Sequence, residues 1–242
     1  MKAKEEGCLE LGMSDHCPYS RKSNLYWPDI RMTEEEAISY ISQVRECSKK
    51  VDFPVYAGFE CEWDKSSYTW YKDELLGRMN ADYLIFGPHW VYDFGEYIYI
   101  LNVDSVQLFH KYVEQTIDGI KSGLYKFIAH PDLFMGAYKE WDADSKAMLG
   151  AILDAAIDCN LPVEINGNGL NRNMNQTKNG LRHPYPYDEF WDLVSTKNID
   201  VVCSSDAHSP DCVISWAKDA REYAKKHNII PVEKLLINGV EK

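Results

Sequence analysis

At 242 residues the chain is long enough for one large α/β domain with its own core, and no Pro/Gly/Ser-rich linker or low-complexity run divides it, so residues 1–242 read as a single domain. Lys plus Arg number 26 against 38 Asp plus Glu, and a formal charge of −12 repels a phosphate backbone, which disfavours nucleic acid as a partner. The seven cysteines are scattered without a CxxC pair, Met1–Gly7 lacks an apolar leader, and no apolar run reaches membrane-spanning length, so a soluble, cytoplasmic chain with reduced thiols is expected.

In chain order, Lys2–Gly7 has the look of the last turn of a helix whose beginning lies before Met1, stopped by Gly7 and followed by a strand over Cys8–Ser14. Thr33 with Glu36 forms a capping box for a helix to about Lys50, with Ala37, Ile38, Ile41 and Val44 inward. A strand over Val55–Glu60 follows, then a helix over Tyr68–Asn80, a strand over Tyr83–Phe86 that runs into Gly87-Pro88-His89, and a short strand-like excursion at Tyr97–Leu101. Asp104 is expected to cap a long helix to Ser122, closed by Gly123. From there strands at Phe127–His130, Leu161–Asn166 and Ile199–Ser204 alternate with helices at Asp142–Asn160, Tyr187–Asn198 and Ser209–His227. Repeated strand-then-helix order predicts a parallel barrel or a doubly wound sheet, with ligands at the carboxyl ends of the strands. Candidate ligands at nearly every strand end favour the barrel, because an open sheet concentrates its site at one switch point.

Six apolar runs break into polar residues in the same way: at Asp15-His16, Glu60, Gly87-Pro88-His89, His130, Glu164-Ile165-Asn166 and Ser204-Ser205-Asp206-Ala207-His208. A lone histidine is usually a packed or solvated residue, and that remains the better reading of His110 and His227, with His183 ambiguous beside Arg182. His16, His89, His130 and His208 differ in each following a strand; with Glu60 and Asp206 they supply the nitrogens and hard oxygens preferred by Zn²⁺, Mn²⁺ or Fe²⁺. A divalent-metal site is expected there. The aromatic residues Trp63, Trp70, Trp90, Tyr92 and Trp141 could line a pocket, although core packing accounts for most aromatics.

The series Met13-Ser14-Asp15-His16, Gly58-Phe59-Glu60, Gly87-Pro88-His89, Ala129-His130-Pro131-Asp132-Leu133, Glu164-Ile165-Asn166, Gly180-Leu181-Arg182 with Tyr185-Pro186, and Ser205-Asp206-Ala207-His208 resembles the PHP (polymerase and histidinol phosphatase) metallohydrolases, and within them the histidinol-phosphate phosphatases. The resemblance implies a distorted (β/α)7 barrel and up to three divalent metals. It implies that Glu60 bridges two metals, that His89 and His130 complete the second, that Asp206 belongs to the first, and that His16 and His208 belong to the third. Glu60, Asp206 and His208 would carry the catalysis, and Arg182 would face the phosphate of a small ester substrate. Glu164 and Asn166 would back the ligands or touch substrate.

Members of that family open with a strand bearing an H-x-H pair, and this chain begins after that point, so by resemblance it lacks three ligands, its first strand and most of its first helix. The region from His130 to Glu164 also holds no arginine, where the family often carries a second phosphate grip; Lys139 is nearest. Three readings stay open: a histidinol-phosphatase-like phosphomonoesterase with impaired activity, a non-catalytic or weakly active metal-binding remnant, and, with the acidic charge against it, a nuclease of the same family. An uncovered barrel edge leads to an expectation of homo-oligomerisation.

Overall fold

The computed structural model describes residues 1–235 and 237 of the chain. Its backbone is mixed α/β with parallel strands. Strand β1 (Leu11–His16) pairs in register with β2 (Val55–Cys61), and β2 pairs with β3 (Tyr83–Phe86). Single parallel bridges carry the array from Phe86 to Ile128 and from Ile128 to Val163, the first residue of β6 (Val163–Asn166), which pairs with β9 (Val201–Ser204). The expected strand Phe127–His130 is thus reduced to its one bridging residue. Parallel strands, buried on both faces, read as continuous apolar runs, and β3 and β6 are buried throughout.

The crossovers are helical. The capping box at Thr33 is present, with Thr33 N–H donating to Glu36 Oε2 at 2.7 Å, and it opens the helix Glu34–Ser48. A π-helix (Trp70–Arg78) lies between β2 and β3. The long helix (Val106–Ile120) starts one residue later than expected: Ser105 rather than Asp104 is its N-cap, with no side-chain bond, and Gly123 ends the segment at φ +71°. Asp142 caps the helix Ala143–Asp158, and its carboxylate accepts from Ser145 N–H. Shorter helices cover Asp188–Val194 and Cys212–Lys226. These helices pack on one side of the strands around Phe59, Leu84, Phe86, Ile128, Ile152, Ile165 and Trp191, all buried.

A second, smaller cluster (Tyr83, Ile85, Phe127, Ala129 and Val202) contains no helix residue and takes Val232, Leu235 and Ile237 from the C-terminal segment. Val232 N–H donates to Val201 O at 2.9 Å, so that segment runs beside β9. None of the six residues of β1 is buried, and among the described residues the side of β1 away from β2 has no ladder partner. A cavity of about 620 Å³ lies between β1 and β9, bounded by the C-terminal segment.

Two hairpins interrupt the alternation. β4 (Trp90–Asp93) and β5 (Glu96–Tyr99) follow directly on His89, and β7 (Asn175–Thr177) and β8 (Gly180–Arg182) precede the loop holding Tyr185. Trp90 packs on Trp27 and on Tyr99, with ring centroids 4.8 and 5.2 Å apart, whereas Trp63, Trp70 and Trp141 pack against the main core.

Candidate metal centre

Register places the site. In a parallel pair the residues that leave two neighbouring strands at the same level face one another, and His16 lies opposite Glu60. Glu60 is the hub. His130 Nε2 lies 3.2 Å and His89 Nε2 3.6 Å from its Oε1, and His16 Nδ1 lies 3.5 Å from its Oε2. Each of Glu60, His89 and His130 offers one ligand atom, and those atoms lie within 4.8 Å of one another. Two donors bound at about 2.1 Å to one tetrahedral ion are about 3.4 Å apart, and the distances of 3.2 and 3.6 Å from Glu60 Oε1 to the two imidazoles bracket that value. A further fit comes from Gly87: a Cβ there would stand 2.2 Å from Glu60 Oε1, so the backbone leaves room for the carboxylate only because the residue is glycine. His130 and Asp206 adopt φ of +32° and +47°, which non-glycine residues rarely do and which cluster at functional sites.

The electrostatics of the cluster are those of one carboxylate surrounded by imidazoles. Burial alone would raise the Glu60 carboxyl, but the imidazoles of His89, His130 and His16 hold it well below the usual carboxylate range. Burial likewise opposes a charge on His130, yet the hydrogen bond and charge of Glu60 lift it to about 9. A cation binding at His130 therefore displaces a proton. Burial lowers His16.

Of the residues singled out from sequence, His16, Glu60, Asp206 and His208 line the cavity, as do Glu164 and Asn166. His89 and His130 join the same centre through Glu60. Asp206 and His208 stand outside the tight triad: Asp206 Oδ2 accepts from Asn166 Nδ2 at 3.1 Å and Asn168 Nδ2 at 3.0 Å, and the largely exposed His208 ring places Nδ1 2.9 Å from Asp206 O. Glu164 backs His130, whose N–H donates to Glu164 Oε2 at 2.9 Å. Arg182 is engaged elsewhere. Its Nη1 donates to His183 O and Pro184 O, its Nη2 to Met135 O, and its guanidinium lies 3.9 Å over the Tyr187 ring. The exposed Arg172 lies over Tyr185 at 5.7 Å, and the Tyr185 ring packs on His130 with centroids 5.8 Å apart.

Two acidic residues hold roles that the sequence pattern does not assign. Glu62 contacts the backbone N–H and the ring Nδ1 of His89, and Asp132 anchors the loop beyond His130 by accepting from Tyr187 N–H at 2.6 Å and Trp191 Nε1 at 3.1 Å. For Glu62 the usable signal was the Glu-x-Glu spacing at a strand end, which sets both side chains on one face.

No family model and no curated protein matches the sequence. Solved structures do match the fold. Histidinol phosphate phosphatase (HISK) from Lactococcus lactis subsp. lactis Il1403, solved with ZN, L-histidinol and phosphate, superposes with a TM-score of 0.66 over 97% of this chain and 88% of that one, at 16% identity. A protein provisionally assigned as histidinol phosphatase hisK from Listeria monocytogenes gives 0.63 over 83% and 84%, at 17% identity. A chain of an archaeal ribonuclease P solved with mature tRNA gives 0.51 over 93% and 82%, at 12% identity. The chain shares the fold of these proteins. No described helix is long and apolar enough to cross a membrane.

Proposed function

We propose that the chain is a divalent-metal-dependent phosphomonoesterase of the PHP type, acting on a small phosphate ester of the histidinol phosphate class. The observation that carries this reading is the Glu60, His89 and His130 triad, gathered at strand ends within a fold shared with a phosphatase solved with zinc, L-histidinol and phosphate. Glu60, His89 and His130 would hold the cation, with His16 on the second oxygen of Glu60 and with Asp206 and His208 across the cavity. A divalent cation there supplies Lewis-acid chemistry, offsetting charge on phosphate oxygens and acidifying water. The chain's own contribution is placement. Glu60 is fixed by Gly87 and the three imidazoles, and Asp206 is oriented by two asparagine amides. Arg172, whose guanidinium lies over the Tyr185 ring and makes no hydrogen bond among the described residues, offers a planar fork that suits two phosphate oxygens; Arg182 would have to leave three carbonyls to do the same.

A second reading, a metal-binding chain with little or no turnover, draws on the end of β9, where Asp206 and His208 stand apart from the triad. Release of inorganic phosphate from histidinol phosphate, with and without added Mn²⁺ or Zn²⁺, separates the two. The proposal expects metal-dependent release that is lost in Glu60→Gln; metal binding without release supports the second reading.

A further inference from the structure

We propose that Glu62, backed by Arg31, is the positioning residue of the metal centre, fixing the tautomer and the aim of His89; the inference rests on the reading of His89 as a metal ligand. Glu62 is only 3% exposed, and its two oxygens are divided between the ring Nδ1 and the backbone N–H of one residue. Oε1 lies 2.8 Å from His89 Nδ1, and Oε2 accepts from His89 N–H at 2.9 Å. A carboxylate only accepts, so Nδ1 keeps its hydrogen and the lone pair is left on Nε2, the nitrogen that faces Glu60. With ring and backbone held by the same group, the imidazole can neither flip nor swing.

Glu62 is itself held on every side. Arg31 Nη2 donates to Oε1 at 3.0 Å, and the guanidinium sits between the Tyr19 and Trp27 rings, 5.4 Å from each centroid. The Tyr19 hydroxyl accepts from Glu62 N–H at 3.1 Å, and the Tyr125 hydroxyl donates to Glu62 O at 3.0 Å. Arg31 and Glu62 are both almost fully buried, and replacing such a pair by apolar residues of similar volume is often neutral or stabilising. Stability alone therefore does not account for it. The comparison with His130 sharpens the point: Glu164 accepts its backbone N–H, but the buried His130 Nδ1 has no partner among the described residues, so of these two imidazoles His89 is the one whose tautomer is fixed from behind.

The test is Zn²⁺ and Mn²⁺ affinity by isothermal titration, with the visible spectrum of the Co²⁺ form, for the wild type and for the double variant Glu62→Gln/Arg31→Met, which leaves no buried charge unpaired. Positioning predicts a folded double variant that binds metal about 10- to 100-fold more weakly, with an altered Co²⁺ spectrum. Unchanged affinity and spectrum in the folded variant would overturn the inference while leaving the ligand reading intact. A wild type that binds no metal would instead sink the ligand reading. If the double variant does not fold, histidine ¹⁵N spectra of the metal-free wild type at pH 9 decide the matter: His89 protonated on Nδ1 supports the assignment, and His89 protonated on Nε2 overturns it.

Discussion

Gly87→Ala perturbs the centre without removing a ligand. The added Cβ would meet Glu60 Oε1 at 2.2 Å and its Cδ and Cγ at 2.7 Å. An ordinary carbon–oxygen contact is about 3.3 Å or longer, so the carboxylate must withdraw by roughly 1 Å. The backbone of Gly87 is not in the left-handed region, so alanine brings no conformational strain of its own, and the effect falls on Glu60. A displacement of that size at a reacting centre can cost about 100-fold, equivalent to about 2.7 kcal/mol. Withdrawal also loosens the buried pair between Glu60 and His130, whose complete rupture would cost about 3–5 kcal/mol. The expected outcome is a protein that folds, melts a few degrees lower, and binds Mn²⁺ at least tenfold more weakly by isothermal titration. Wild-type affinity in Gly87→Ala would refute the placement of Glu60 as the hub.

Arg172→Ala should raise KM for a phosphomonoester about tenfold, as expected for one lost charge-assisted contact, while Arg182→Ala should chiefly lower the melting temperature; the reverse pattern in steady-state kinetics and thermal melts would restore Arg182 as the phosphate grip. Asp132 is 1% exposed, and burial raises its carboxyl to about 6. The raised group is protonated in the fold at pH values where the unfolded chain has already lost its proton, so stability falls as pH rises from about 4 through 6, by about 3 kcal/mol. Denaturant melts should show that fall in the wild type and not in Asp132→Asn; parallel pH profiles would contradict it. The β1 edge, which has no ladder partner among the described residues, together with Leu9 at 82% and Met13 at 39% exposure, predicts self-association at micromolar concentration, and sedimentation showing a clean monomer would argue against it.

Much of the frame was legible because its signals are local. The Thr33 and Glu36 pair announces the helix Glu34–Ser48, the apolar run Tyr83–Phe86 is β3 to the residue, and each predicted metal ligand does fall at or just beyond a strand end or bridge. What escaped was set by tertiary contact or by short turns. The hairpin of β7 and β8 turns at Lys178-Asn179 and enters β8 through Gly180 at φ +109°, a signal that could have been read, as could the Asp93-Phe94-Gly95 reversal between β4 and β5. The engagement of Arg182 with Met135 O, 47 residues away, leaves no trace in the chain, and neither does the partnership of Glu62 with Arg31 across 31 residues. The register that faces His16 to Glu60 depends on a crossover of more than 30 residues, which spacing alone does not fix.

The most direct measurement is anomalous diffraction at the zinc edge from crystals grown with Zn²⁺. The account predicts a strong peak about 2.0–2.2 Å from a Glu60 carboxylate oxygen, His89 Nε2 and His130 Nε2. No peak among those three residues, with zinc bound elsewhere on the chain or not at all, would contradict it.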